Sequence, residues 1–420
     1  VNLYIIANHI IAALFAVCYF YQIIYTIASM RRTVPPFPKE APGRYAILIC
    51  AHNEEAVIGQ LIDSVSKQNY PRELIDIFVG ADNCDDATAR IAREHGATVY
   101  ERSDRTHIGK GYVLNFLINS ITGEGTNWEH GGFIVIDADN LLDSGYVAAM
   151  NDALCSGYRV VTGYRNSKNF GDNWLSASYA VWFLHESRML NGARELLRLS
   201  AQVSGTGFAV SSELLRELGG WNYFTLTEDV EFTFAMTARG EKIGYTPHAI
   251  LYDEQPTNFR VSWNQRMRWT KGYLQAYGRY GGAMLLRAVS KHAFPCYDML
   301  MSTLAGSVLA TGAIAFYAAA IVYGAVSGTG IMLPLIYLGH FLLATYIAFF
   351  IIGVITVITE RSYIYAPRRA IIGFAFTFPF FFYTLLPLFP CLPFDRKIWP
   401  HIVHTRAIDI EEIKHTVDPS

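Results

Sequence analysis

The chain has no surplus of either charge. Its 420 residues carry 34 Lys and Arg against 36 Asp and Glu, and only 17% of them are charged. No basic stripe stands out, which argues against a nucleic-acid partner. Cysteine is scarce and scattered. Cys18, Cys50, Cys84, Cys155, Cys296 and Cys391 form no C-x-x-C pair, so neither a zinc site nor a redox motif is indicated and free buried thiols are expected. Internal repeats and low-complexity segments are absent. The first apolar run has no basic region before it and no small-residue cleavage site after it, so it reads as an anchor rather than a removed signal peptide.

What the chain has in quantity is apolar surface, 52% of all residues. Residues 1–28 are long and apolar enough to span a bilayer. Arg31, Arg32 and Lys39 follow at once, and by the positive-inside rule they put the next segment in the cytoplasm. Residues 29–44 form a linker rich in proline (Pro35, Pro36, Pro38, Pro42). Residues 45–272 read as one cytoplasmic domain, 273–296 as an interfacial segment, 297–394 as a membrane region and 395–420 as a tail. Two runs in the membrane region, Tyr297 to Val326 and Ile331 to Ile358, look like spanning helices. The last, Ala370 to Phe394, holds Pro379, Pro387, Pro390 and Pro393, and proline breaks helices. A single span there would put the basic tail outside, so a broken or non-spanning segment is expected. The chain is therefore read as a multi-pass protein of the cell membrane.

Within 45–272 the pattern alternates. Ile47–Cys50, Ile75–Val79, Ala97–Tyr100 and Phe133–Ile136 read as strands; Glu54–Lys67, Asp86–His95 and Gly111–Ile121 read as helices. Such alternation implies an α/β fold with a mostly parallel sheet and helices on both faces. Ligands of such sheets bind beyond the carboxyl ends of the strands, and the polar motifs fall there. Asp137-Ala138-Asp139 follows the last of these strands. Two carboxylates two residues apart can face one site and suit a hard cation, Mg²⁺ or Mn²⁺, that also binds phosphates. Ala51-His52-Asn53-Glu54-Glu55 ends the first strand and opens a helix, where free N–H groups favour phosphate or polar base edges; Asn53 also suits a helix cap, and both roles can coexist. Asp82 can accept a hydrogen bond from a nucleobase or serve a turn. Lys110, between two glycines, can reach a phosphate or remain solvated. Glu228 and Asp229 stand at a helix start, with Asp229 a candidate base for an acceptor hydroxyl. His248 and Asp253 fit structural roles better. Gln265 and Trp269 share a helix face, Arg268 can neutralise a diphosphate, and an indole can stack on a sugar. The same Trp and Arg also suit a membrane-interface helix.

Taken in order, Asn53-Glu54, Asp82, Asp137-Ala138-Asp139, Thr227-Glu228-Asp229 and Gln265-Arg266-Met267-Arg268-Trp269 resemble the membrane-embedded family 2 glycosyltransferases, which include cellulose, chitin, hyaluronan and poly-N-acetylglucosamine synthases. The resemblance implies a GT-A fold, a UDP-sugar donor (UDP-GlcNAc or UDP-Glc) and Mg²⁺ or Mn²⁺. It places Ala51, Asn53, Glu54, Asp82 and Lys110 around the nucleotide, with Asp82 on the uracil. Asp137 and Asp139 fall to the diphosphate and metal, and Asp229, with Glu228 and Arg268, to catalysis. Gln265 and Trp269, together with the loop Gly205-Thr206-Gly207-Phe208, fall to the acceptor side. That loop differs in sequence from the cellulose, chitin and hyaluronan versions, and the short chain most resembles the poly-N-acetylglucosamine synthase type. The tail from Trp399 to His404-Thr405-Arg406 resembles a C-terminal gating element of relatives. The implied activity is inverting, processive β-glycosyl transfer to a growing glycan, with export of the product. The competing readings are a single transfer to a membrane lipid and a non-enzymatic transporter or scaffold. Whether an accessory subunit joins is left open by the sequence.

Overall fold

The computed structural model describes residues 2–123, 128–291, 293–395, 404 and 406–415. Eight strands form one sheet: β1 (Tyr45–Ala51), β2 (Ile75–Asp82), β3 (Thr98–Arg102), β4 (Gly132–Asp137), β5 (Leu141–Leu142), β6 (Val160–Ser167), β7 (Phe208–Ser211) and β8 (Ile243–Asp253). Their order across the sheet is β3-β2-β1-β4-β7-β6-β8-β5. The pairings β3-β2, β2-β1 and β1-β4 are parallel, while β7 runs against both of its neighbours and β5 against β8. With β6 and β8 parallel to each other, the sheet is mostly parallel, as the alternating pattern predicts.

Both faces of the sheet are buried, which explains strands that read as continuous apolar runs. Alternate residues serve opposite cores. Ala46, Leu48, Phe133 and Val135 pack into one, and Ile47, Ile49, Ile134 and Ile136 into the other. The helices Ile58–Ser66, Lys110–Thr122 and Tyr146–Cys155 contribute Leu61, Leu114 and Met150 to these cores. The register sets Cys50 beside Asp137 and Ala51 beside Ala81. The ends of β1, β2 and β4 therefore lie side by side, and their trailing residues share one rim.

Element limits differ from the sequence reading where a turn intervenes. The helix expected from Glu54 begins only at Ile58, because Asn53 adopts a left-handed φ of 56° and the chain turns through residues 54–57. Asn53 is thus not the cap of that helix. The N-terminal helix runs through Arg31, and the helix Phe259–Ala276 runs past residue 272, so the expected limits at 28 and 272 fall inside helices.

Among the described residues, three helices are long and apolar enough to cross a membrane, Tyr4–Arg31, Phe294–Ser327 and Met332–Thr359. The proline-rich run forms Arg368–Tyr383 and Leu388–Phe394, bent by 41° at the break that proline imposes. A buried ion pair ties this part to the domain. Arg194 donates to Asp298 at 2.8 and 3.0 Å, and Tyr21 and Tyr25 of the first helix donate to the same carboxylate at 2.8 Å each. Satisfying every oxygen of a buried carboxylate in this way fixes the geometry of the helices that meet there.

Candidate functional site

The rim of β1, β2 and β4 carries the donor-side candidates. Ala51 ends β1 and is buried. The Asn53 Oδ1 accepts from the Asp85 amide at 2.8 Å, so this side chain braces the loop after β2. The Glu54 amide donates to Thr88 at 2.8 Å. Asp82 is buried and engaged: Arg102 donates to its Oδ1 at 2.6 Å and Asn83 at 3.1 Å. His52 Nδ1 lies 2.7 Å from the Asp82 carbonyl oxygen. Asp82 is therefore a held carboxylate rather than a turn residue.

Lys110 is not solvated. Its ammonium pairs with Asp137 and donates to the Gly205 carbonyl at 2.7 Å. Burial works against its charge, but Asp137 and Glu228 overcome this and hold its pKa above the usual lysine range. Asp137 and Asp139 leave β4 together. Asn140 donates to Asp139 Oδ1 at 3.1 Å and to Asp253 Oδ1 at 3.2 Å. Thr206 Oγ1 donates to Asn140 at 2.6 Å and accepts from the Asp137 amide at 2.9 Å. Burial raises the Asp139 pKa well above the usual carboxylate range; His404 opposes this, and Asp253 and Asp137 add to it.

Among the described residues no three His, Cys, Asp or Glu side chains are placed to hold a metal ion by themselves. Two carboxylates at one strand end are nevertheless the donor set for a hard cation that takes its remaining ligands from phosphate and water. The residues present fit Mg²⁺ or Mn²⁺ held together with a diphosphate.

The acceptor-side candidates converge on the same cleft. Gly205, Thr206 and Gly207 form a loop in which Gly205 and Gly207 have φ of +79° and +68°. A Cβ on Gly207 would fall 1.9 Å from Leu251, so only glycine fits the crossing of this loop over the sheet. A Cβ on Gly205 would lie 3.7 Å from Asp229 Oδ2, which places the loop directly against that carboxylate. Glu228 and Asp229 open the helix Glu228–Arg239. Burial pushes the Glu228 pKa up to about 7, with a further push from Asp229, against Lys110 and Arg268. Burial also raises Asp229, against the Val230 amide, Lys110 and Arg268.

The acid limb of kcat/KM is expected near pH 7, where Glu228 titrates. Glu228→Gln removes the neighbouring negative charge and moves that limb to lower pH. A pH–rate profile of the two proteins checks this, and an unmoved limb would remove Glu228 from the titration. Because the folded pKa of Glu228 lies above its ordinary value of 4.5, the stability from this group falls as pH rises from there through about 7.

Gln265, Arg268 and Trp269 lie on the helix Phe259–Ala276. Arg268 donates to the Leu226 carbonyl at 3.1 Å, beside the segment that leads into Glu228. Gln265 Oε1 is buried without a hydrogen-bond partner among the described residues. Trp269 packs edge-on against Tyr179 and Phe183, with centroids at 6.0 and 6.5 Å. Leu175 and Phe381 complete this apolar cluster, Phe381 coming from the bent membrane pair. The helix can approach Thr227 closely because residue 272 is glycine; a Cβ there would lie 2.4 Å from Thr227 Oγ1 and 2.6 Å from its backbone nitrogen. Gly272→Ala is expected to push Asp229 out of register and lower kcat about tenfold or more. Steady-state kinetics on the folded variant checks it, and an unchanged kcat would show that the contact is slack.

Asn140 and Arg165 also enter this cleft and belong to none of the short motifs singled out in the sequence, and His404 enters it from the tail motif. Arg165 pairs with Asp253, whose carboxylate also accepts from Gln255 at 3.0 Å. His404 Nδ1 lies 3.0 Å from Glu54, and its Nε2 lies 3.8 Å from Asp139. Burial opposes a charge on His404, but Asp139, Glu54 and Glu254 prevail and raise its pKa to about 10. The Arg406 amide donates to Glu254 at 3.1 Å and its guanidinium pairs with Asp172. The tail resemblance therefore falls in part on the cleft, whereas Trp399 and Thr405 lie outside the described residues. His248 stands exposed.

Residues 42–272 match the family model described as "Glycosyltransferase like family 2". Among curated proteins, the chain is 30% identical over 262 residues to "Probable glycosyltransferase YdaM" of Bacillus subtilis, covering 58% of this chain and 59% of that protein. It is 29% identical over 293 residues to "Beta-monoglucosyldiacylglycerol synthase" of Trichormus variabilis, covering 66% of this chain and 59% of that protein. The chain thus spans about 59% of the length of these curated relatives. Among solved structures, the mannosyltransferase PcManGT from Pyrobaculum calidifontis, in complex with GDP-Man and Mn²⁺, superposes with a TM-score of 0.62 at 16% identity, covering 93% of this chain and 99% of that one. At that identity the likeness shows a shared GT-A fold.

Proposed function

The chain belongs to the family 2 glycosyltransferases, and from that premise we propose that it transfers a hexose, with inversion, from a UDP-sugar to a hydroxyl that a membrane lipid presents at the bilayer surface. One observation carries this reading. Lys110 grips Asp137 and the Gly205 carbonyl together, which brings the carboxylates suited to a donor diphosphate against the loop that touches Asp229. Donor and acceptor sites are thereby one cleft.

The chemistry follows from the groups in it. The acceptor hydroxyl donates to Asp229, which removes its proton as the oxygen attacks the anomeric carbon. The bond from that carbon to the diphosphate oxygen breaks on the opposite face, and its electron pair leaves with UDP. One displacement turns an α-linked donor into a β-linked product. Lys110 and Arg268 hold positive charge where the leaving group becomes negative. A divalent cation on Asp137 and Asp139 supplies further neutralisation of the diphosphate when bound. Glu228 keeps the local field negative and sets the pH at which Asp229 is free of its proton.

The lipid acceptor is supported by the wall around Trp269, which is aromatic and continuous with the bent membrane pair through Phe381. It is supported also by the curated relative named for diacylglycerol glucosylation. The long apolar helices support a cleft beside the membrane, and Arg31, Arg32 and Lys39 after the first of them support a cytoplasmic domain. A second reading, repeated addition to a growing glycan, is favoured by Gln265 Oε1, a buried acceptor that a sugar hydroxyl would satisfy. Incubating the membrane-bound protein with radiolabelled UDP-sugars separates the two. Label that partitions into organic solvent as a singly glycosylated lipid supports the proposal; label in a long water-soluble polymer replaces it with the processive reading.

A further inference from the structure

One half-buried side chain joins the two halves of the cleft without belonging to either. Arg165, near the end of β6, donates to Asp253 Oδ2 from Nε at 2.8 Å and from its second terminal nitrogen. Its Nη1 donates to the Ser204 carbonyl at 2.9 Å. Its guanidinium carbon lies 3.7 Å from the centre of the Phe183 ring, against whose edge Trp269 packs. From Asp253 the chain of hydrogen bonds continues through Asn140 to Asp139, and from Asn140 through Thr206 to the Asp137 amide. Ser204 and Thr206 flank the glycine that touches Asp229. A single planar fork thus holds the metal-side carboxylates, the acceptor loop and the aromatic wall in one arrangement.

We propose that Arg165 is a positioning residue that couples the acceptor loop to the state of the donor site, a role that rests on the glycosyltransferase reading above. Filling the donor site fixes Asp139; Asn140 and Asp253 transmit that to Arg165, and Arg165 holds Ser204 and hence the loop beside Asp229. Lysine cannot replace it, because a point charge beside Asp253 has no fork with which to reach Ser204 as well. An electrostatic role alone would be served by lysine, and a purely structural role would be independent of the nucleotide.

The test is hydrogen exchange on the purified full chain in detergent, with Mn²⁺ and UDP and, in parallel, GDP, each compared with Mn²⁺ alone. In the wild type the nucleotide is expected to slow exchange at Ser204–Phe208. In Arg165→Lys that slowing is lost while nucleotide affinity stays within about threefold, as for a change that leaves the binding contacts in place. Arg165→Met with Asp253→Asn removes both charges together, so no buried ion is left unpaired, and it should lose the slowing in the same way with melting close to wild type. A lysine variant that keeps the nucleotide-dependent protection overturns the proposal, as does a wild-type loop that ignores bound nucleotide. A wild type that binds neither nucleotide overturns the donor-site reading itself and the proposal with it.

Discussion

Asp229→Asn is expected to cut sugar transfer by about a thousandfold while UDP binding stays nearly intact, since a general base acts in the chemical step and on the acceptor. The carboxylate is half-buried at the start of its helix, against Gly205 and within the influence of Lys110 and Arg268. An amide of the same shape keeps that packing but cannot take a proton. The loss should therefore appear in kcat, with UDP affinity by calorimetry unchanged. Near-normal turnover would take Asp229 out of the base role and leave Glu228 as the remaining carboxylate of the pair.

The second large effect is on the other side of the cleft. Asp139→Asn is expected to lower transfer by about a hundredfold or more and to weaken UDP binding in Mn²⁺ but not in its absence, because a neutral amide is a poor ligand for a hard cation. The Asn140 contact to Asp139 Oδ1 at 3.1 Å can persist with an amide oxygen, so the fold at the end of β4 should be kept. Excess chelator should silence the wild type in the same way. Full turnover in chelator would contradict the metal role of Asp137 and Asp139 together. The two variants are thus opposite in signature: one loses chemistry with the donor bound, the other loses the donor's metal-dependent grip.

These residues were legible for a physical reason. Asp82, Asp137 and Asp229 sit where an apolar run or a turn stops, and a parallel sheet places such ends on one rim. The strands were legible through their apolar runs, since both faces are buried, and the broken last membrane segment through its prolines. The start of the helix after β1 was not, because Asn53 takes a left-handed turn that its side chain also permits in a cap. Lys110 alone resembled a surface lysine; only the folded loop brings the Gly205 carbonyl and Asp137 to it. Arg165 carried no local signal at all. Its partners Asp253 and Ser204 are 88 and 39 residues away in sequence, and a polar residue near a strand end announces neither. Asn140 was hidden by the carboxylates it follows, although a side chain with both a donor and an acceptor is what joins Asp139, Asp253 and Thr206.

The measurement that bears most directly on a single inverting displacement is the anomeric configuration of the product. The purified protein is given Mn²⁺, an α-linked UDP-hexose and vesicles containing diacylglycerol, and the glycosylated lipid is examined by proton NMR. The account predicts one sugar per lipid with a β-configured anomeric proton. An α-configured product would require retention, and no single displacement with Asp229 as base could have made it.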